Sequence, residues 1–242
     1  MNKAYMNWSG GKDSSLCLYK VLQSNEFKVE RLLTSVNAVH NRISMHGVRR
    51  SLLEAQASVL GIPLETIELP EQPGMAAYES AMVSKVKAMK DAGCSHSIFG
   101  DIFLEDLRNY RETKLRELEI TCAFPLWKID TRKLASEFID LGFRSIVVCV
   151  NEQFLDRSFC GRVIDHSFLH DLPDHVDPCG ENGEFHSFVF EAPIFSENIP
   201  IIKGELVYRK YQAPKNDNNC HRNAAPSEYG FYFCDLLPGN EV

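Results

Sequence analysis

The sequence predicts an α/β fold: a doubly wound, mainly parallel sheet followed by a second, smaller α+β domain. Short apolar segments alternate with segments of helical periodicity up to about residue 130, and this alternation is typical of βαβ units. A glycine-rich turn links the first apolar segment to the first helix. Beyond residue 130 the alternation is lost and antiparallel pieces are expected. We therefore predict two domains, 1–130 and 131–242.

The elements of the first domain follow from apolar runs and from apolar residues at helical spacing. The segment 4–6 is a short apolar strand, and a helix follows the glycine turn. Further strands are predicted at 29–36, 63–69, 96–99 and 123–127, and further helices at 49–60, 78–92 and 105–118. Gly61 and Gly93 follow two of these helices and are typical helix stops.

The second domain is predicted to mix helices with antiparallel strands. Helices are expected at 132–141 and 155–164, and strands at 145–150, after a turn near 183, at 200–208 and at 231–237. The segment 214–227 is rich in Asn and Pro and is expected to be a mobile surface loop.

Length and composition are those of an ordinary soluble globular protein. The chain has 242 residues, of which 44% are hydrophobic and 24% charged, so it can bury a sizeable core. No apolar run is long enough to span a membrane, and the N-terminus enters a strand without a secretory signal. We therefore expect a cytoplasmic protein.

Charge and cysteine spacing argue against several classes of function. The formal net charge is −7, whereas proteins that bind nucleic acids normally carry a basic excess. The one dense basic stretch, 108–116, is interrupted by Glu112. None of the eight cysteines form a C-x-x-C pair, the spacing of zinc ribbons and redox pairs. We expect reduced, mostly structural cysteines.

The segment 9–14, Ser-Gly-Gly-Lys-Asp-Ser, predicts a phosphate site, and we call it the phosphate loop. Adjacent glycines let a ligand approach the backbone closely, and the free amides of a helix N-terminus favour anions. Lys12 adds a positive charge. A glycine pair alone would fit a tight turn with Asp13 or Ser14 as N-cap, but the six-residue string is more specific. It is not a Walker A loop.

Three strand ends are expected to meet at one crevice, because ligands of parallel sheets lie beyond the carboxyl ends of the strands. The phosphate loop follows the first strand, the polar segment 37–47 follows the second, and Gly100-Asp101 follows the fourth. Arg111, on the next helix, could bind a carboxylate or phosphate through two hydrogen bonds. His40 and His46 have no supporting pattern and are expected to be structural or surface residues.

A second motif lies at 180–186, Gly-Glu-Asn-Gly-Glu-Phe-His. Asn182-Gly183 is a strong turn signal. Glu181, Glu184 and His186 beside it could orient a nucleophile, bind a metal or act as a general base. A solvated hairpin with an acidic tip would explain the same residues, and the sequence alone does not decide between this hairpin and a functional role.

With these motifs in order, the chain resembles the diphthine–ammonia ligase family, a branch of the PP-loop ATP pyrophosphatases. The segments that carry the resemblance are 9–14, 99–102, 111–112, 125–127, 160–162 with Asp165, and 180–187. The resemblance covers nearly the whole chain and implies a Rossmann-like PP-loop ATPase domain. It also implies that ATP adenylates a carboxylate, releasing pyrophosphate, and that ammonia then displaces AMP to give an amide.

The resemblance implies roles for individual residues. Nucleotide contacts are expected from Ser9, Gly10, Gly11, Lys12, Asp13, Ser14, Ser35, Val36 and Gly100. Catalytic roles are expected for Lys12, Asp13, Asp101, Arg111, Glu181 and Glu184, and a Mg2+ contact for Asp13. Because water hydrolyses an acyl adenylate, we expect the 180–186 turn to close the crevice, with both glutamates within reach. Gly11→Val is expected to abolish nucleotide binding and to change thermal stability little.

In the resembled family the carboxylate belongs to diphthine on elongation factor 2. The segments 103–112 and 177–179 look more like the bacterial branch, where diphthamide is not known and the same chemistry would need another carboxylate. The alternative is an ATP-binding PP-loop protein that acts on another substrate or senses nucleotide without turnover. Transfer RNA thiolation or lysidine formation is disfavoured by the charge and the cysteine spacing. A homodimer is possible, and the sequence does not decide the oligomeric state.

Overall fold

A computed structural model describes residues 1–43, 46–70, 74–212 and 228–239. The N-terminal part contains β1 (Asn2–Asn7), α1 (Lys12–Ser24), β2 (Phe27–Asn37), β3 (Arg42–Ile43), α2 (Arg50–Leu60), β4 (Leu64–Leu69), α3 (Met75–Asp91), β5 (His96–Ile98), α4 (Glu105–Arg116) and β6 (Thr121–Ala123). The C-terminal part contains α5 (Thr131–Asp140), β7 (Arg144–Asn151), α6 (His166–Asp171), β8 (Phe185–Glu191), β9 (Ile201–Gln212) and β10 (Glu228–Pro238).

The first sheet is parallel and covered by helices on both faces, which confirms the predicted doubly wound α/β architecture. Its parallel strands follow the order β4-β2-β1-β5-β6, and the short β3 pairs antiparallel with the end of β2. Alternate residues of β1 face opposite sides: Ala4 and Met6 pack in one apolar cluster with α1 and α2, whereas Tyr5 packs in another with α3 and α4.

The second sheet has four antiparallel strands in the order β8-β7-β10-β9, as expected for an α+β unit. Its buried residues belong to the same apolar cluster as α1 and α2 of the N-terminal part. The two sheets therefore share one continuous core. The proposed limit at residue 130 remains a prediction.

Two predicted elements differ from the structure. The strand predicted at 123–127 ends at Ala123, and the next residues form a turn in which Trp127 N–H donates to the Phe124 carbonyl at 3.0 Å. The helix predicted at 155–164 is wrong: only 157–159 form a 3-10 turn. Beyond it the backbone pairs with β7, since Gly161 N donates to the Val147 carbonyl at 2.8 Å. The helix α6 was not predicted.

The structure confirms the prediction of reduced cysteines for the residues that it describes. Seven cysteines are free thiols and six of them are buried; the eighth, Cys220, and the predicted loop at 214–227 lie outside the described residues. Within the described ranges, no helix has the length and apolar character needed to cross a membrane.

Gln56 of α2 connects the phosphate loop to both parts of the chain. Its fully buried amide donates to the Gly10 carbonyl at 3.0 Å and to the Val189 carbonyl at 2.7 Å, and it accepts from Trp8 Nε1 at 2.9 Å. Val189 N also donates to the Gly10 carbonyl at 2.9 Å. One side chain therefore fixes the glycine turn against β8.

Gln56→Met is expected to lower the free energy of unfolding by about 2–5 kcal/mol, because Trp8 Nε1 and the Val189 carbonyl each lose this buried partner at a cost of about 1–3 kcal/mol, whereas the Gly10 carbonyl keeps its bond from Val189 N. Urea denaturation measures this loss. Gln23→Met, at the exposed end of α1, is the matched control and should change stability by less than about 0.5 kcal/mol. Equal stability of the two variants would show that Gln56 does not fix the loop.

Candidate active site

One cavity of about 740 Å³ opens at the carboxyl ends of β1, β2 and β5. The C-terminal part supplies its opposite wall through the segment from Cys179 to Ser187. The predicted site residues that line the cavity are Ser9, Gly11, Lys12, Asp13, Ser14, Ser35, Gly100, Asp101 and Arg111 from the N-terminal part and Glu181 from the C-terminal wall. Gly10, Val36 and Glu184 were also predicted but do not line the cavity.

The phosphate loop turns sharply at its two glycines. Gly10 has φ +74°, and a Cβ there would lie 2.6 Å from Gln56 Oε1, so glycine is required by both conformation and space. Gly11 is the N-cap of α1, in place of the Asp13 or Ser14 cap considered from the sequence, and no side chain caps the helix. A Cβ on Gly11 would lie 3.1 Å from the Ser187 carbonyl oxygen.

Gly100 lets β5 approach the first turn of α1. A Cβ at this position would lie 3.1 Å from the carbonyl carbon of Asp13 and 3.2 Å from Ser14 N. The close approach brings the end of β5, and with it Asp101, directly against the phosphate loop.

Lys12 is the buried cation of the loop. Its Nζ is 2.7 Å from Asp13 Oδ2 and also donates to the Cys179 carbonyl, while its backbone N donates to Ser187 Oγ at 3.2 Å. Burial lowers the pKa of Lys12, but the combined effect of Asp13, Cys179 and Glu181 is larger and the pKa is raised overall. Lys12 therefore stays charged and bonds across the cavity to the C-terminal wall.

Asp101 and Arg111 form an ion pair with unused hydrogen-bonding capacity. Asp101 Oδ2 is 3.1 Å from Arg111 Nε, yet neither buried atom completes a hydrogen bond. The guanidinium lies over the Phe99 ring at 4.2 Å. Burial raises the pKa of Asp101, with a further contribution from Asp13 and an opposing one from Arg111. An anionic ligand could supply the missing partner of Arg111.

Glu181 is the acidic group of the C-terminal wall. Its Oε1 accepts a hydrogen bond from Ile102 N at 2.8 Å. Burial raises its pKa to about 7; the Ile102 bond opposes this rise, and the negative charge of Asp13 adds to it. A carboxyl group with this pKa exchanges a proton near neutral pH, which suits general acid–base chemistry.

Glu184 is separated from Glu181 by the turn itself. Its carboxylate is fully buried and accepts hydrogen bonds from Asp177 N at 3.0 Å, Asn182 N at 2.9 Å and Asn182 Nδ2 at 3.0 Å. Three donors occupy its oxygens, so this glutamate holds the turn that presents Glu181.

Glu184→Gln is expected to reduce the free energy of unfolding by about 1–3 kcal/mol, because an amide replaces one acceptor oxygen with a donor that faces N–H groups. Urea denaturation at pH 7.5 measures the effect. Glu191→Gln removes a carboxylate from an exposed ion pair with Arg144, whose atoms are 3.4 Å apart, and should cost less than about 1 kcal/mol. A larger loss at Glu191 than at Glu184 would contradict the role assigned to the turn.

Two histidines on the cavity wall were not expected as a pair. The rings of His46 and His186 stack with their centroids 4.4 Å apart and their planes at 25°. The sequence pointed to His186, through its place beside the glycine turn, whereas His46 was expected to be structural or surface-exposed. Only the fold brings the segment after β3 to the start of β8.

Sequence comparisons with known proteins follow the two parts of the chain. A model described as the diphthamide synthase N-terminal domain matches residues 1–121, and one described as the diphthamide synthase C-terminal domain matches residues 130–215. The chain is 26% identical over 109 residues to a diphthine–ammonia ligase of Schizosaccharomyces pombe, covering 42% of this chain and 18% of that protein. It is 29% identical over 113 residues to a diphthine–ammonia ligase of Danio rerio, covering 43% of each.

The chain thus spans less than half the length of either curated relative. Among solved structures, the U34-tRNA thiolase NcsA from Methanococcus maripaludis with its [4Fe-4S] cluster is 18% identical, with a TM-score of 0.35, covering 58% of this chain and 57% of that one. The two domain models together match most of the sequence. The chain belongs to the diphthamide synthase family.

Proposed function

We propose that the chain is an ATP-dependent, AMP-forming ligase that adenylates a carboxylate and transfers the acyl group to ammonia. One observation carries the proposal: Glu181, with a pKa of about 7, shares a cavity with the phosphate loop. The loop offers an anion site, and Glu181 offers a proton acceptor on the opposite wall. The diphthine–ammonia ligases that the chain resembles support this reaction class.

The phosphate loop and its cations are assigned to ATP. Ser9, Gly11 and Ser14 line the cavity at the N-terminus of α1, where the helix dipole favours phosphate. Lys12 would stabilise the charge on the departing pyrophosphate, and Arg111 would bind either a phosphate or the substrate carboxylate.

Asp13 is the residue proposed to hold Mg2+, which usually binds one or two carboxylates together with phosphate oxygens and water. The described residues contain no group of three His, Cys, Asp or Glu side chains that could hold a metal, so phosphates and water would complete its ligands. When bound, the ion would neutralise phosphate charge.

The proposed reaction has two steps. A carboxylate oxygen attacks the α-phosphorus of ATP, the bond from that phosphorus to the bridging oxygen breaks, and pyrophosphate leaves. Ammonia then attacks the acyl carbon, the carbon–oxygen bond to AMP breaks, and the nitrogen loses one proton. Glu181 in its ionised form would accept that proton.

Contacts between the two walls support exclusion of water from the adenylate. Lys12 donates to Ser187 Oγ and to the Cys179 carbonyl, and Val189 N donates to the Gly10 carbonyl. These bonds hold the 180–187 segment against the phosphate loop. A closed wall would protect the acyl adenylate from hydrolysis.

Diphthine, which appears in the names of both relatives, is our first candidate for the carboxylate. The protein is incubated with ATP, Mg2+, ammonium and elongation factor 2 that carries diphthine, and the nucleotide products are separated. AMP and pyrophosphate in equal amounts are expected. ADP and phosphate would contradict adenylation, and tight ATP binding without turnover on any carboxylate would favour the sensor alternative.

A further inference from the structure

We propose that the stacked pair His46–His186 is the ammonia site, where uncharged imidazoles accept a hydrogen bond from the nucleophile. The proposal rests on the ligase function proposed above and names the residues that would position its second substrate. Neither histidine is assigned to the adenylation step.

The pair is formed by both parts of the chain. His46 lies between β3 and α2, whereas His186 is the second residue of β8. Their rings stack at 4.4 Å, and both line the cavity. The ammonia site would therefore exist only when the C-terminal wall is seated on the phosphate loop.

The pair lies next to the place assigned to the phosphates. A Cβ on Gly11 would be 3.5 Å from His46 Cε1 and 3.1 Å from the Ser187 carbonyl oxygen. A nucleophile held by the histidines would thus be close to an acyl group attached to the α-phosphate.

One ring nitrogen of the pair has unused hydrogen-bonding capacity. His46 Nδ1 is buried and has no hydrogen-bond partner among the described residues. Buried polar atoms without a partner are rare in folded proteins, so this nitrogen marks a position where a ligand can donate an N–H group.

The surroundings keep both rings uncharged. Burial lowers the pKa of His46 to about 4, with Lys12 adding to the effect and a hydrogen bond to the Ser187 backbone opposing it. The pKa of His186 lies well below its usual value, mainly because the ring is buried; the neighbouring His46 and, to a smaller extent, Lys12 lower it further. A neutral imidazole keeps one acceptor nitrogen.

This environment suits ammonia better than ammonium. Lys12 disfavours a second cation beside the two rings, whereas neutral ammonia can donate an N–H to the imidazole and keep its lone pair free. When that lone pair forms the bond to the acyl carbon, AMP leaves with the carbon–oxygen electron pair and Glu181 takes the proton. The histidines exchange no proton, so they are positioning residues.

The binding test follows the histidine ring nitrogens by NMR. Protein labelled with 15N-histidine is saturated with α,β-methylene ATP at pH 9 and titrated with ammonium chloride or, separately, potassium chloride. The signals of His46 and His186 are expected to shift and saturate with ammonium only. His166, exposed and 3.0 Å from Asp140, is the internal control and should not respond.

Two outcomes would overturn the proposal. No shift, or equal shifts in both salts, with the ATP analogue still bound would remove ammonia from the histidine pair and leave the ligase proposal standing. If the analogue itself did not bind, the proposed function would fail and the ammonia site with it.

Steady-state kinetics of one variant distinguish a role in positioning ammonia from a role in folding. His46→Phe keeps an aromatic ring in the stack but removes the unpartnered Nδ1, so the KM for ammonium should rise about tenfold, the effect expected from the loss of one hydrogen bond. The KM for ATP should stay within about twofold, a change well under 1 kcal/mol. His166→Phe is the matched control. An unchanged KM for ammonium, with only kcat reduced, would show a structural role.

Discussion

Glu181→Gln is expected to slow amide formation by about 10²–10⁴-fold, the usual effect of losing a general base, while ATP still binds. Glutamine retains an oxygen that can accept the Ile102 N–H bond, but it cannot take a proton from the attacking nitrogen. Rapid-quench measurement of amide and AMP in single turnovers checks the rate, and calorimetry checks ATP affinity. A variant with the wild-type amidation rate would exclude Glu181 as the base.

The pH dependence gives the same prediction an independent readout. Burial and the nearby Asp13 disfavour the ionised form and raise the pKa of Glu181 to about 7. The base form therefore increases as pH rises through 7, so the wild-type rate, measured at a fixed concentration of free ammonia, should climb across that range and then level off. The Glu181→Gln profile should lack this rise.

Stability distinguishes Glu181 from its neighbour in the same motif. Because the folded state raises the pKa of Glu181, its ionised form opposes folding, and this cost grows as pH rises from the unfolded pKa to the folded one. Glu181→Gln should therefore not lower Tm at pH 8, whereas Glu184→Gln should. A large loss of chemical rate in correctly folded Glu184→Gln, with Glu181→Gln unaffected, would reverse the assignment.

The sequence could predict that distant motifs meet at one edge of the sheet, because a parallel arrangement of the strands places them there. Strands β1, β2 and β5 run in one direction, so the phosphate loop, Ser35 and Gly100 had to lie at the same edge of the sheet. That prediction needed only the alternation of strands and helices. The turn at 180–186 was also recognisable as a cavity wall, through its glycines and its family resemblance.

The different positions of Glu181 and Glu184 could not be read from the sequence. Both carboxylates flank the same Asn-Gly turn, and strand alternation does not apply before β8 begins at Phe185. Gly183 has φ +84°, and the turn directs Glu184 towards the backbone amides at 177 and 182. Hydrogen bonds within the turn therefore set the direction of the Glu184 side chain.

Other differences arose where tertiary contacts outweighed local pattern. The apolar spacing of Leu155, Phe159 and Ile164 resembles a helix, yet all three are buried while the backbone at 161–164 bonds to β7. His46 had no sequence signal because only the packing of the β3 segment against β8 brings it to His186. The role of Gln56 depends in the same way on three partners far apart in sequence.

Gly11→Val is expected to weaken ATP binding by roughly 100-fold, equivalent to about 2.8 kcal/mol. Gly11 lines the cavity at the N-cap of α1, where a branched side chain would occupy the space in which phosphate must approach the backbone. Calorimetry with α,β-methylene ATP measures the loss.

The structure predicts a loss of stability for Gly11→Val, whereas the sequence predicted little change. The new Cβ would lie 3.1 Å from the Ser187 carbonyl oxygen and 3.4 Å from Ser9 Oγ, so overpacking is expected to cost about 1–3 kcal/mol. Gly11→Ala adds the same Cβ without the branch and should lose less affinity, so it separates loss of binding from partial unfolding.

Gly74→Val is the matched control for Gly11→Val, because Gly74 is also a helix N-cap with extended backbone and has open space around its Cβ position. It should bind the nucleotide as the wild type does. If Gly11→Val, still folded at the assay temperature, bound α,β-methylene ATP as tightly as Gly74→Val, the phosphates could not lie on the Gly11 backbone. The phosphate loop would then have to be removed from the proposed nucleotide site.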